Sequence, residues 1–444
     1  MRGTLERMLR LRDMTLLVIG LVIGSGISIV PATVLRQTDG RFGVALLVWF
    51  LAGVLSLLGA LTYGEMGAMN PQAGGIYVYL RDSFGRFPAF LFGWTLFFVI
   101  GAGAQATLAV AFSGYAAQLV PLGAVGARIV ALGMIVAITI VNVLGTRGSV
   151  RLQNWTTAVK IAALVGLSIA LIAAAPGPAL PALTFPDTMS LPVLSGMGAA
   201  MIGVLWAYEG WQWATFSAGE TVNPQRTFPL GIVFGTAALV VLYCLANVAY
   251  VAALGPERAA ASDSIAAAAV AAVLGGGAGK LVALAILVSI FSAANATLLT
   301  GPRVFFAMAR DGVFFRALAE IHPRFGTPAL AIVGSSAWSM VLAMSGSFDQ
   351  LLTYVVFMGW VFYALGAASI FVYRRRQPDA PRPFRVPGYP VTPILFVLAS
   401  AAIVVNTLFT RPLEALIGIA IVLLGAPAYL LWRARAPQQT PDAG

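Results

Sequence analysis

Few residues in this chain can do chemistry, and those that can stand inside long apolar runs. Glu209 lies within Leu205-Trp206-Ala207-Tyr208-Glu209-Gly210-Trp211-Gln212-Trp213. Lys160, one of only two lysines, follows Gln153-Asn154-Trp155-Thr156-Thr157 and leads into an apolar stretch. Ser289, Ser292 and Asn295 recur every three residues, which puts their side chains on one helical face. Gly24-Ser25-Gly26-Ile27-Ser28 interrupts the first apolar run with two glycines, each unfavourable by roughly 0.5–1 kcal/mol in a helix interior. None of these makes a credible nucleophile–base pair. The one histidine, His322, precedes Pro323 in a loop, and the one cysteine, Cys244, sits in an apolar run. An internal disulfide and Cys-based metal sites are therefore excluded, and neither a cofactor nor enzyme activity is expected.

Each polar residue admits two readings. The glycine break is either close packing between helices or an unwound segment. In the second case the N–H groups at the start of a new half-helix form a positive dipole end suited to an anion. Lys160 either snorkels to the interface or faces the interior, where its ammonium needs carbonyls or hydroxyls. The Ser289, Ser292 and Asn295 stripe serves a neighbouring helix, a bound cation or that ammonium. Glu209, as an intramembrane acid, is a functional-site candidate by default. Glu65, at the end of an apolar run, reads as an interfacial carboxylate with an arginine partner in preference to a proton carrier. The small residues Gly101 to Ala106 allow either a close backbone approach or space for a ligand.

The elements that must position these residues follow from composition. Of 444 residues, 59% are hydrophobic and 10% are charged, with a mean hydropathy of +0.90. Soluble domains carry about 25% charged residues. Apolar runs predict an all-α integral membrane protein with twelve transmembrane helices near 14–35, 43–65, 88–119, 127–145, 155–175, 191–216, 229–254, 280–305, 328–345, 350–373, 391–409 and 413–432. No connecting loop is long enough for a soluble domain, so residues 1–444 read as one membrane domain.

Breaks in the first and sixth helices, five helices apart, are the pattern of a five-plus-five inverted repeat: 14–175, then 191–373, with two additional C-terminal helices over 391–432. In this pattern irregular backbone lines a binding site near the midplane, as in secondary transporters. Residues 70–79 read as a re-entrant or interfacial segment, and the alanine-rich 263–279 as a short external helix over the mouth. The tail after Trp432 reads as disordered. With the N-terminus inside, 20 of the 27 Lys and Arg residues fall on the cytoplasmic side and six outside. That bias predicts both termini in the cytoplasm. The net charge of +11 is thus topological, and no nucleic acid is expected as a partner.

Four motifs together resemble one family. They are Ile23-Gly24-Ser25-Gly26-Ile27; Pro71-Gln72-Ala73-Gly74-Gly75-Ile76-Tyr77-Val78-Tyr79; Trp206-Ala207-Tyr208-Glu209-Gly210-Trp211; and Glu220-Thr221-Val222-Asn223-Pro224 with Arg226 and Pro229. In this order, within twelve spans, they resemble the amino acid–polyamine–organocation superfamily, and within it the L-type amino acid transporters and their bacterial relatives. The resemblance implies alternating access. It implies a substrate carboxylate held by the backbone of the first break (Ile23, Ser25, Gly26 and Ile27) and an α-ammonium held by carbonyls of Trp206, Ala207 and Glu209, with Gln212 beside them. Trp206 takes the place of an aromatic gate.

It also implies that the Lys160 ammonium stands where sodium-coupled relatives hold an ion. There it would meet a carbonyl of Ile23 or Gly24 and hydroxyls of Ser289 or Ser292. The chain departs from the family at Ser28, usually aromatic, at Gly219, usually an acid, and at the variable position of Glu209. Residues 120–128 lack the cysteine through which related animal transporters join a single-span glycoprotein, so no disulfide-linked heavy chain is expected.

The expected function is sodium-independent transport of L-amino acids across the cytoplasmic (inner) membrane, as an exchanger or a proton-coupled carrier, with small neutral substrates favoured. Alternatives are a carrier of cationic amino acids, a sodium symporter, and an amino-acid sensor without turnover.

Overall fold

In a lipid setting an apolar run has no solvent for its backbone, so each run closes on itself as a helix. The computed structural model describes residues 5–177, 180–275, 279–345 and 348–435, and among these it is helical throughout, without a sheet. In chain order the helices are α1 (Leu11–Val22), α2 (Gly26–Gln37), α3 (Phe42–Met69), α4 (Ile76–Phe84) and α5 (Arg86–Ala116). Then come α6 (Ala124–Val143), α7 (Thr146–Ala173), α8 (Leu191–Ala207), α9 (Pro224–Leu254), α10 (Pro256–Ala261) and α11 (Ile265–Leu274). The series ends with α12 (Gly279–Thr300), α13 (Pro302–Arg310), α14 (Ala329–Ser345), α15 (Phe348–Arg376), α16 (Val391–Thr410) and α17 (Pro412–Arg435).

Among the described residues, ten helices are long and apolar enough to cross a membrane, and the bent pair α1 and α2 makes an eleventh. The expected span at 328–345 is the helix α14, apolar but only 17 residues long. The chain is a multi-pass membrane protein.

Several boundaries differ from the apolar runs. The fifth run was expected from 155, yet α7 starts at Thr146, because one face of its polar first turns, Thr146, Ser149 and Gln153, is buried while Arg147 and Arg151 stay exposed. The helix expected within 263–279 is α11, with the short α10 before it; residues 276–278 lie outside the described residues, as does the tail from 436. Residues 70–75 form a loop that leads into α4. Within α5, one π-helical turn over Leu96–Ile100 inserts an extra residue, and the Phe98 carbonyl accepts the Trp338 indole N–H at 2.9 Å. This turn re-aims the face of α5 that follows it.

The interior is organised around α1. Gly231 and Gly235, one turn apart on α9, receive Met14 and Val18 of α1: a Cβ on either glycine would stand within 2.6 Å of those side chains. Small residues at this spacing let helices approach closely where lipid offers no hydrophobic drive. α1 also packs on α7 and α12, whereas α2 packs on α8, α10 and α11. The two halves of the first span thus belong to different neighbourhoods.

Polar ties gather at the end of the molecule that holds the N-terminal segment. The N–H groups of Met8 and Leu9 donate to the Glu220 carbonyl at 2.8 and 2.9 Å, and Val222 N–H donates to the Leu9 carbonyl at 2.9 Å. Glu65 has an arginine partner: Arg374 donates to both carboxylate oxygens, at 2.9 and 2.7 Å, and Val386 N–H adds a third bond at 2.7 Å. Arg303, at the start of α13, forks onto Glu220 at 2.7 and 3.1 Å and reaches the Thr146 hydroxyl at 3.2 Å. Both partners of that pair are fully buried.

Removing the cation alone, as in Arg303→Met, strands a buried carboxylate and is expected to lower stability by ~3–5 kcal/mol. The measurement is the melting temperature in detergent, with Arg303→Lys expected to fall between the two. A melting curve for Arg303→Met that overlays the wild type would show that this pair does not hold the three chain ends together.

Candidate binding site at the crossed helix breaks

The first break follows from two glycines around a serine. α1 ends at Val22, whose neighbour Ile23 is extended, and α2 begins at Gly26 with its axis turned by 53°. Gly26 and Ile27 are the first residues of α2, so their N–H groups have no intrahelical acceptor. The Ser28 N–H donates to the Ser25 carbonyl at 3.0 Å. Ile27 and Ser28, expected within the break, are already helical.

The sixth span breaks differently. α8 ends at Ala207 and Tyr208 to Gly210 form a turn, with Gly210 at φ +128°, a region only glycine enters at little cost. The chain then continues as a 3₁₀ helix, Trp211–Glu220. Gln212 does not line the cavity described below; its side-chain oxygen accepts the Gly210 N–H at 3.1 Å and so caps the turn.

The two breaks touch. A Cβ on Gly26 would lie 3.1 Å from the Ala207 Cβ and 3.2 Å from its Cα, and one on Gly210 would lie 2.7 Å from the Leu21 carbonyl. Each crossing strand therefore places a glycine where the other passes. The Tyr243 hydroxyl, from α9, lies 3.1 Å from the Val22 carbonyl and 3.2 Å from that of Ala207, joining the carbonyl ends of both first halves.

Lys160 does not snorkel: it is 4% exposed. Its ammonium donates to the carbonyls of Gly20 and Ile23, both at 2.8 Å. These belong to the last turn of α1, where unpaired carbonyls concentrate negative partial charge. The expected set is corrected in three respects. Ser289 donates to the Ile23 carbonyl at 2.9 Å instead of meeting the ammonium. Ser292 is bonded to Gln153 and Thr156, at 3.2 and 2.9 Å. Gly24 gives no carbonyl and Gly20 does, because terminal carbonyls of a helix point along its axis toward the incoming cation. Asn295 receives Asn142 and donates to Gln153, both at 2.9 Å. The polar stripe of α12 is thus mostly a seam with α6 and α7.

Between the breaks and α5 lies a cavity of about 140 Å³. Of the expected residues, Gly24, Ser25, Gly26, Trp206, Ala207 and Glu209 line it; Ile23, Ile27, Gln212, Lys160, Ser289 and Ser292 do not. Ile23 and Ile27 are buried apolar side chains, and only their backbone can serve a ligand. Glu209 accepts the Tyr363 hydroxyl at 3.2 Å on one oxygen, and the other has no partner among the described residues. From the small stretch of α5, Ala104 lines the cavity.

Thr107, Leu108, Trp213 and Thr297 also line the cavity, and the sequence reading passed over them, as it did Tyr243 and Tyr363. In an apolar run a threonine or tyrosine carries no pattern that separates it from ordinary packing.

Two broken helices crossing beside a small cavity, inside an all-helical membrane chain, are the arrangement of a secondary transporter. The chain belongs to the amino acid permease family, whose model matches residues 9–425, within the amino acid–polyamine–organocation superfamily. It is 32% identical over 425 residues to large neutral amino acids transporter small subunit 2 of Mus musculus, covering 94% of this chain and 79% of that protein. It is 30% identical to the serine/threonine exchanger SteT of Bacillus subtilis (strain 168), covering 93% and 94% of the two chains. The cystine/glutamate transporter of Homo sapiens is 31% identical, with 94% and 83% covered.

The contact between Gly26 and Ala207 sets a prediction. Gly26→Ala forces one break to give by a few tenths of an ångström and should weaken amino acid binding about tenfold, in the range of core overpacking. Gly26→Val should abolish binding in a protein that still inserts. Gly24→Ala, with nothing nearer than a carbonyl at 4.0 Å, should lose less. Equal affinities across the series, measured by ligand-induced thermal shift, would remove the crossing from the binding site.

Proposed function

We propose that this chain carries small neutral L-amino acids across the cytoplasmic membrane by alternating access, without sodium, as an exchanger or a proton-coupled carrier. The observation that carries this reading is a small cavity flanked by two opposed helix ends. Free N–H groups at Gly26 and Ile27 suit a carboxylate, and the carbonyl end at Trp206, Ala207 and Glu209 suits an α-ammonium. Both charges of a zwitterion are matched by dipoles, and Trp206, at the cavity wall, is the gate in this reading. Relatives named as amino acid transporters and exchangers support the same class.

In this reading residues 1–444 form one domain of twelve spans, 14–175 and 191–373 are inverted repeats, and both termini are cytoplasmic. The ties at the N-terminal end then close the inner face, while α2 and α8 stand together on the outer side. Residues 120–128 offer no cysteine, so the chain works without a disulfide-linked heavy chain.

Sodium independence rests on Lys160, a tethered cation on the α1 carbonyls. In proteoliposomes, uptake of a labelled amino acid should be the same with and without a sodium gradient. It should fall more than about tenfold in Lys160→Ala, which removes two charged hydrogen bonds of ~1.5–3 kcal/mol each. A sodium requirement in the wild type, or normal uptake by Lys160→Ala, would refute the assignment.

A second reading has one observation in its favour: the unpartnered oxygen of Glu209 at the cavity wall supports cationic substrates. On that reading Glu209→Gln should raise the inhibition constant of arginine by about tenfold or more while changing that of alanine little. An equal change for the two amino acids would leave only the neutral reading.

A further inference from the structure

Thr107 lies on α5 beside Leu108, one turn from Ala104 and Ala111, along the cavity. It is 6% exposed, and its hydroxyl has no partner among the described residues. Several other helical hydroxyls here satisfy themselves on their own backbone. On the same helix Thr95 donates to the Leu91 carbonyl at 2.7 Å and Ser113 to that of Val110 at 2.8 Å. Thr297, the other threonine on the cavity wall, donates to the Ala293 carbonyl at 2.9 Å. Thr107 makes no such bond. A buried polar group left without a partner is unusual enough to require an explanation, and a ligand is one.

A second unpartnered oxygen belongs to Glu209, which lines the same cavity from the sixth span. A carboxylate only accepts, whereas a threonine hydroxyl both donates and accepts. A group placed between them completes both if it accepts from Thr107 and donates to Glu209. A hydroxyl does this with its single proton; a methyl does neither. The small side chains at Ala104 and Ala111 and the volume of about 140 Å³ leave room for a short substrate side chain.

We propose that Thr107 is a specificity-determining residue that selects amino acids with a β-hydroxyl over their apolar isosteres. The proposal rests on the reading of this cavity as an amino acid site and names its substrate class. The hydroxyl chain runs from Thr107 Oγ1 through the substrate oxygen to Glu209 Oε2.

The test uses L-threonine and L-valine, which share shape and differ by hydroxyl for methyl. Each competes with labelled L-serine for uptake by the full chain in proteoliposomes. The wild type should prefer threonine by about tenfold or more, since its hydroxyl makes two hydrogen bonds there, one of them to a carboxylate. Thr107→Val should lower that ratio about threefold or more by weakening threonine more than valine, the bond to Glu209 remaining, and Thr107→Ser should keep it. If Thr107→Val is not monodisperse, Thr107→Ala takes its place. A wild-type ratio near one, or a ratio unchanged when the hydroxyl is removed, overturns the proposal while leaving amino acid transport in place. Absence of uptake of any amino acid by the wild type removes the transport reading, and the proposal with it.

Discussion

Everything at the centre of this molecule depends on two polypeptide segments crossing closer than side chains allow. Gly26 meets Ala207, and Gly210 meets the Leu21 carbonyl. An alanine at either glycine would have to push the other segment away. This contact explains why the breaks occur at the same depth. It also explains why unpaired backbone groups of opposite sign come to face one small cavity. Tyr243 bridges the two carbonyl ends, and its ring packs edge to face with Trp49 and tilted against Tyr208.

Lys160 solves a related problem. A helix that stops inside a membrane leaves carbonyls that no water can satisfy. The ammonium reaches two of them, at Gly20 and Ile23, and Ser289 shares the second. Since Lys160 belongs to α7 and Ser289 to α12, the stopped end of α1 is attached to a pair of helices that are themselves joined through Gln153, Ser292, Thr156 and Asn295. α2 has no such attachment and packs on α8, α10 and α11, with Arg36 donating to the Ala260 carbonyl at 2.7 Å. The first span is therefore divided mechanically as well as by hydrogen bonding. One half is held by the lysine, and the other packs with α8, α10 and α11.

The sequence alone determined the class of structure, because a membrane restricts a long apolar run to a helix whatever surrounds it. The break at Gly24 to Gly26 was legible for a related reason: glycine acts through its own backbone. The placement of Ser25, Gly26, Trp206, Ala207 and Glu209 was legible through motifs rather than through physics. Tertiary structure decided what depends on direction. Periodicity put Ser289, Ser292 and Asn295 on one face but could not say that their hydrogen bonds would run to α6, α7 and the end of α1. Lys160 had two readings from its position along the helix, and only the neighbouring helix end selected between them. Thr107 and Tyr363 carried no local signal at all, and Gln212, expected beside the substrate, turned to its own backbone turn instead. Whether a hydroxyl or a carboxamide in an apolar run turns to its own backbone, to a neighbour or to a cavity is set by which atoms stand opposite it, and those come from distant parts of the chain.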